Sequence, residues 1–286
     1  EGLSHQPWKF RAVKTGDRIP IGMSELVFIE ATMLHWPDSM FTYLAGRNLL
    51  MPNDAFGQHL ATSKRFDDEI GWEVIYPEAA TYFANIVLHV GGPVLKALDA
   101  AKGLQLDMIA PSHGVVYPRP AFILDAYREW VSDRTGNLAL IPFVSMHGST
   151  REMVEHLTGA LIRQGITVIP CNMIHTDIGE LAKELVNAST VVLASPTVLG
   201  GPHPAIAHAA FLANALRPKL KFASIIGSYG WGGRMTESLL ASLGNLKVEL
   251  LDPVLAKGFP SEKDYQALDN LAAAIAARHR GIGVLS

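Results

Sequence analysis

The run Ser145-Met146-His147-Gly148-Ser149-Thr150 is dense in small and hydroxyl-bearing side chains and follows the apolar stretch Leu138–Val144. Between a buried strand and a helix start, such a loop can wrap a phosphate monoester with backbone N–H groups and hydroxyls. It has neither the lysine of a Walker loop nor the GxGxxG spacing of a dinucleotide fingerprint. The same residues would also serve as an ordinary helix cap, where serine and threonine are common. Two further glycine-bearing stretches could share its work. Ser195-Pro196-Thr197-Val198-Leu199-Gly200-Gly201-Pro202 allows close backbone approach to a flat ring at its glycines, while its prolines hold the loop's shape. Gly227-Ser228-Tyr229-Gly230-Trp231-Gly232-Gly233 sets aromatic side chains among glycines, suited to covering one face of a planar heterocycle and offering N–H groups to its polar edge.

The earlier part of the chain carries different chemistry. Met33-Leu34-His35-Trp36-Pro37-Asp38-Ser39-Met40, Asn53-Asp54-Ala55-Phe56-Gly57-Gln58-His59 and Pro111-Ser112-His113-Gly114 each follow a strand-like run. Two imidazoles and a carboxylate at strand ends are donor types that suit iron, zinc or manganese. A histidine at a strand end is also a common hydrogen-bonding core residue, and the wide spacing does not by itself bring the three together.

The elements that must position these residues change rhythm near residue 136. Before it, Leu26–Glu30 reads as a strand, and Phe41–Leu44 with Asn48–Met51 as a hairpin about Ala45-Gly46-Arg47. A helical apolar pattern over about 78–101 should break at Gly91-Gly92-Pro93. Asp107–Ala110 reads as a strand and Arg119–Val131 as an amphipathic helix. The polar segment Ser132-Asp133-Arg134-Thr135-Gly136 serves as a linker, which divides the chain into domains 1–136 and 137–286. Beyond it, strands at 138–144, 167–171, 190–194, 221–227 and 247–251 alternate with helices at 150–164, 177–187, 204–215, 232–243 and 261–279. Five β/α repeats predict a doubly wound, five-stranded parallel sheet with ligands outside the strands' carboxyl ends. The three glycine-bearing loops follow strands one, three and four, and that joint placement makes a flavin site of residues 145–150, 195–200 and 228–232.

Bulk composition narrows the class. With 286 residues, 49% apolar and 18% charged, the chain has room for two domains with sizeable cores. A net charge of −3 and no basic block give no sign of a nucleic-acid partner. No apolar run reaches membrane-spanning length, so no membrane partner is expected. Cys171 is the sole cysteine. This chain alone therefore builds no disulfide, CxxC zinc knuckle or cysteine-ligated iron–sulfur cluster, and a reducing cytoplasmic setting is expected. The chain opens at Glu1 without an initiator Met, in a polar stretch, and reads as a processed or partial polypeptide.

The strings LHWPDSMFTYL, NDAFGQH and APSHG, in that order ahead of a flavodoxin-like half, resemble the flavodiiron proteins, or A-type flavoproteins, through essentially the whole chain. The loop at 145–150 likewise resembles the FMN-phosphate loop of flavodoxin-like domains. That resemblance implies a metallo-β-lactamase-like αββα domain with a non-haem diiron centre, followed by a flavodoxin-like FMN domain. It further implies reduction of dioxygen to water, of nitric oxide to nitrous oxide, or both, with electrons passing from an external donor through FMN to the irons. By motif, His35 resembles a terminal ligand of one iron, Asp54 the carboxylate bridging both, and His113 a terminal ligand of the other. Asp38 and Ser112 are candidates to hold the imidazoles, and His59 reads as a support behind the ligands or as structural rather than as a ligand itself. The family's upstream HxExDH motif does not occur in this chain, so residues 1–136 correspond to the second half of the metal domain alone. A companion N-terminal fragment carrying HxExDH is then expected, together with a head-to-tail homo-oligomer, a dimer or dimer of dimers, in which one subunit's FMN faces the other's metal site. Trp231 and Trp36 are aromatic candidates for that junction. No CxxC pair follows the second half, so the donor would be a separate rubredoxin or a reduced deazaflavin. Two rival readings stand beside this one. One is an FMN electron-transfer flavoprotein with no working metal site, and the other is a zinc hydrolase, which would have no use for the three flavin loops.

Overall fold

The computed structural model describes residues 9–286; Glu1 and the segment it opens lie outside the described residues. The chain divides into two compact units. One runs up to Ala79 and takes in Val90–Tyr127, and the other comprises Ala80–His89 and Arg128–Ser286. No change in composition announces the excursion of Ala80–His89 into the later unit.

The first unit is built on a five-stranded sheet of β1 (Arg18–Ile21), β2 (Ser24–Glu30), β3 (Met40–Ala45), β4 (Leu49–Met51) and β5 (Met108–Ile109), in that spatial order. β1 to β4 pair antiparallel, while β4 and β5 run parallel. Gly46 at φ +81° and Asn48 at φ +51° supply the left-handed residues that close the β3–β4 turn. Tyr43 fastens it, its hydroxyl donating to Gln105 O at 2.9 Å. Helix α1 (Trp72–Tyr82) leads through a wide turn and a tight one into α2 (Gly91–Ala101). Gly91-Gly92-Pro93 thus opens α2, where a proline's missing N–H costs nothing. Helix α3 (Ala121–Trp130) closes the segment. Alternation along β3 buries Phe41 and Tyr43, while β2 buries the adjacent Phe28 and Ile29 near its end.

The second unit has a sheet ordered β11-β10-β8-β6-β7, all parallel. Its strands are β6 (Leu138–Phe143), β7 (Thr167–Asn172), β8 (Thr190–Val198), β10 (Phe222–Tyr229) and β11 (Glu249–Leu250). β12 (Val254–Lys257) continues the fifth position beside β10 after a break at Asp252-Pro253. A two-residue strand, β9 (Gly201–Pro202), folds back on β8. Helices α4 (Ser149–Arg163) and α8 (Glu262–Gly281) cover one face through Met153, Leu157, Leu161, Leu268, Leu271 and Ile275. Helices α5 (Ile178–Leu185), α6 (Pro204–Leu216) and α7 (Met235–Ser242) cover the other through Leu181, Ile206, Ala210 and Leu239. With both faces buried, the central strands are continuous apolar runs rather than alternating ones. The chain order 2-1-3-4-5 is the flavodoxin-like arrangement, whose switch point lies between the first and third strands. No helix among the described residues is long and apolar enough to cross a membrane.

Candidate functional site

The pairing of the first sheet puts the carboxyl ends of β2, β4 and β5 on one edge, because β2 and β4 are both antiparallel to β3 and β5 follows β4. The loops leaving that edge carry His35, Asp54 and His113, and the structure brings the three together. His35 Nε2 lies 3.2 Å from Asp54 Oδ2, and His113 Nε2 lies 3.3 Å from Oδ1. Each carboxylate oxygen therefore faces a different imidazole. Asp54 is buried, while both histidines stay partly open to solvent. The backbone bends sharply to achieve this, with Met33 at φ +66°, Asn53 at +58° and Phe56 at +65°. Left-handed conformations in residues with side chains cost roughly 1–3 kcal/mol each, and they concentrate where a side chain must be aimed.

A buried network joins the Asp54 loop to the His113 loop. Gln58 is 1% exposed. Its Oε1 accepts from Val115 N at 2.7 Å, and its Nε2 donates to Val115 O at 3.1 Å and to Tyr117 Oη at 2.7 Å. Tyr117 in turn donates to Phe56 O at 3.0 Å, and Phe56 N donates to Tyr127 Oη at 2.9 Å. Burial pushes the Tyr117 phenol well above its ordinary range, so it remains a donor. Gly114, at φ +84°, leaves room for the amide, and a Cβ there would overlap Gln58 Oε1. Ser112 spends its hydroxyl on Asn53 Oδ1 at 3.2 Å rather than on an imidazole. The His59 ring stands edge-on to that of His113, centroids 5.7 Å apart.

Two donors about 2.1 Å from one ion and roughly perpendicular stand about 3 Å apart. Each imidazole–oxygen pair has that spacing. One oxygen and one imidazole on either side of a carboxylate fit a pair of bridged ions. Among the described residues, no group of three or more His, Cys, Asp or Glu side chains is arranged to hold a single ion. Three donors leave most of two coordination spheres to ligands from elsewhere.

In the second unit the three glycine-bearing loops meet around a cavity of about 440 Å³ at the carboxyl edge of the sheet. Met146, His147, Ser149, Thr150, Pro196, Thr197, Val198, Ser228, Tyr229, Gly230 and Trp231 line it. Leu199, Gly200 and Gly232 border an adjoining hollow with Trp231. Gly148, at φ +92°, precedes α4 without capping it by a side chain. Ser145 Oγ accepts from the N–H groups of Gly148 and Arg151, each at 3.2 Å, which braces the loop at the opening turn of α4. Thr150 is buried, its hydroxyl 3.1 Å from that of Ser228. Ser195 is wholly buried and bonds within its own loop, donating to Pro196 O and accepting from His203 N. Leu199 and Gly200 both have positive φ, forming the two-residue turn between β8 and β9 and projecting Leu199 into solvent. Trp231 is 99% exposed. Sequence reasoning missed Gly258, which also lines the cavity and donates from its N–H to Tyr229 O at 2.9 Å. Its signal was the turn Lys257-Gly258-Phe259-Pro260, hidden because the fifth strand appeared to end before Pro253.

A flavodoxin-like sheet joined to a metallo-β-lactamase-like one defines a two-domain redox architecture. No protein-family profile matches the chain. It is 38% identical over 280 residues to the nitric oxide reductase of Moorella thermoacetica, covering 96% of this chain and 70% of that protein. Among solved structures, rubredoxin oxygen:oxidoreductase from Desulfovibrio gigas superposes with a TM-score of 0.93 at 31% identity, covering 97% of this chain and 71% of that one. The flavodiiron protein from Giardia intestinalis gives 0.86 at 27%, covering 94% and 68%. The chain belongs to the flavodiiron family of oxidoreductases.

Proposed function

We propose that this chain is the FMN-binding and partial metal-binding portion of a flavodiiron reductase acting on dioxygen, nitric oxide or both. The carrying observation is the placement of His35 and His113 on opposite oxygens of Asp54. Similarity to the Moorella nitric oxide reductase and to the Desulfovibrio rubredoxin oxygen:oxidoreductase supports both substrates. In this reading residues 1–136 give the second half of the metal domain and 137–286 the flavin domain.

Asp54 would hold two irons, one on each oxygen, with His35 on one and His113 on the other. A companion N-terminal fragment bearing HxExDH would supply the remaining ligands. Ser149 and Thr150 at the start of α4, with Ser228, would bind the FMN phosphate. Pro196, Thr197, Val198, Tyr229 and Trp231 would hold the ring and exclude water from it. When bound, FMN supplies one- and two-electron transfer from an external rubredoxin or reduced deazaflavin, and the iron pair supplies open positions for a diatomic substrate. The exposed Leu199 and Trp231 at the cavity mouth support a head-to-tail homo-oligomer that covers the flavin.

Iron and flavin analysis of the purified assembly tests the reading. About two irons per FMN, with consumption of dioxygen or nitric oxide under reduced donor, is the expected result. Flavin without iron would instead favour the second reading, an FMN electron carrier.

A further inference from the structure

The Asp54 and His113 side chains belong to loops that are far apart in sequence and carry no disulfide between them, so something must fix their separation. Backbone contacts do part of this. Ser112 N donates to Asn53 O at 2.8 Å, and Gln58 N donates to His113 O at 3.3 Å. Between and beyond these bonds the two loops have no regular ladder. Val115, two residues past His113, has both its N–H and its C=O engaged by one side-chain amide, that of Gln58. A carboxamide offers the same donor and acceptor as a peptide group, in the same plane.

We propose that Gln58 is a positioning residue for the metal site, its side-chain amide standing in for a missing peptide unit that locks the Asp54 loop to the His113 loop. Tyr117 sets the amide's orientation. Its hydroxyl accepts from Gln58 Nε2 and donates to Phe56 O, two residues past Asp54, so the amide cannot flip without losing both contacts. Gly114 completes the device, because any side chain there would occupy the amide's place. Every polar atom of the network is satisfied and shielded from water. Such networks specify one geometry, and partial satisfaction is costly. A slack of a few tenths of an ångström between Asp54 and His113 would spoil the shared ligation of a bridging carboxylate while leaving the fold intact.

The inference rests on the metal-site reading above, and the test separates the two. The full chain, with its companion fragment where that copurifies, is titrated with Co²⁺ as the probe metal. Visible absorption and calorimetry report binding, and hydrogen exchange is followed at the Val115 amide. The wild type should bind Co²⁺; failure to do so would overturn the metal-site reading and this inference with it. Gln58→Met, similar in length but unable to hydrogen-bond, should weaken Co²⁺ at least tenfold and alter its spectrum. It should also release Val115 N–H to exchange while FMN affinity is unchanged. Tyr117→Phe, which keeps the Val115 pair, should weaken Co²⁺ about two- to threefold and serves if Gln58→Met does not fold. Wild-type Co²⁺ affinity and spectrum in either folded variant would overturn the proposal.

Discussion

At Asp54 two imidazoles approach one carboxylate from opposite sides, and neither could be replaced by a neutral amide contact of equal strength. Asp54→Asn keeps the shape but removes the charge and one acceptor. It should abolish iron retention while leaving FMN content intact, a result that metal analysis reads directly. Elsewhere, burial rather than partnership sets the chemistry of single residues. Cys171 is 5% exposed, and burial pushes its thiol up to about 11. It should react with thiol reagents at pH 8 only as fast as the chain opens, and denaturant should release the reaction. His279 is fully buried in α8, Nδ1 donating to Asn137 Oδ1 at 2.9 Å and Nε2 accepting from Thr190 Oγ1 at 2.7 Å. Burial holds it below its ordinary 6.5. Stability from this neutral ring is full above pH 6.5 and is lost as pH falls, because the unfolded chain takes up the proton first. The slope cannot exceed about 1.4 kcal/mol per pH unit. Denaturant midpoints measured between pH 7.5 and 5 should fall, and His279→Gln should flatten that fall. The metal-type donors were legible as residue types, since His35, Asp54 and His113 stand at strand ends. Their convergence was not, because it depends on the antiparallel return through β3. Gln58 was legible only as part of a motif, since nothing in its type distinguishes a buried clamp from a surface amide.

Among the elements, the parallel sheet was the most readable, because strands buried on both faces are continuous apolar runs separated by amphipathic helices. The fifth strand was less so. Pro253 interrupts it, and the second piece, Val254–Lys257, resumes pairing with β10 one residue out of step with the first, the extra residue lying in the break. β1 was missed for the opposite reason, being a short, mostly exposed edge strand with little apolar pattern. Where two strands touch most closely, sequence freedom ends. Gly227 on β10 faces Ser195 on β8, and an added Cβ would overlap the Ser195 carbonyl and lie 2.9 Å from Met235 Cε. Gly227→Ala should therefore cost about 1–3 kcal/mol, the usual range for overpacking, seen as a lowered Tm and weaker FMN binding together. The opening turn of α4 makes a separable prediction. Thr150→Val should weaken FMN about tenfold and riboflavin far less, since only the former carries the phosphate that the hydroxyl pair with Ser228 would meet. Equal losses for both flavins would place Thr150 in the fold rather than at the ligand.

Across the whole molecule, the chain spans about 70% of the length of its Moorella relative, and His35, Asp54 and His113 are the donors the proposed metal site would draw from it. In the proposed reading the remaining iron ligands come from residues bearing HxExDH, and intact-mass analysis of the purified assembly tells whether those residues share this polypeptide or lie on a second one. If the flavin of one subunit serves the metal site of another, dilution to monomers should slow flavin reoxidation by dioxygen, whereas a concentration-independent rate would place both cofactors' traffic within one subunit. The near-total exposure of Trp231 also has a practical side. An indole so open to water emits at longer wavelength than the buried Trp130, and a bound isoalloxazine beside it would quench that red-shifted component. If the cavity holds FMN as proposed, Trp231 emission would serve as an optical gauge of flavin loading.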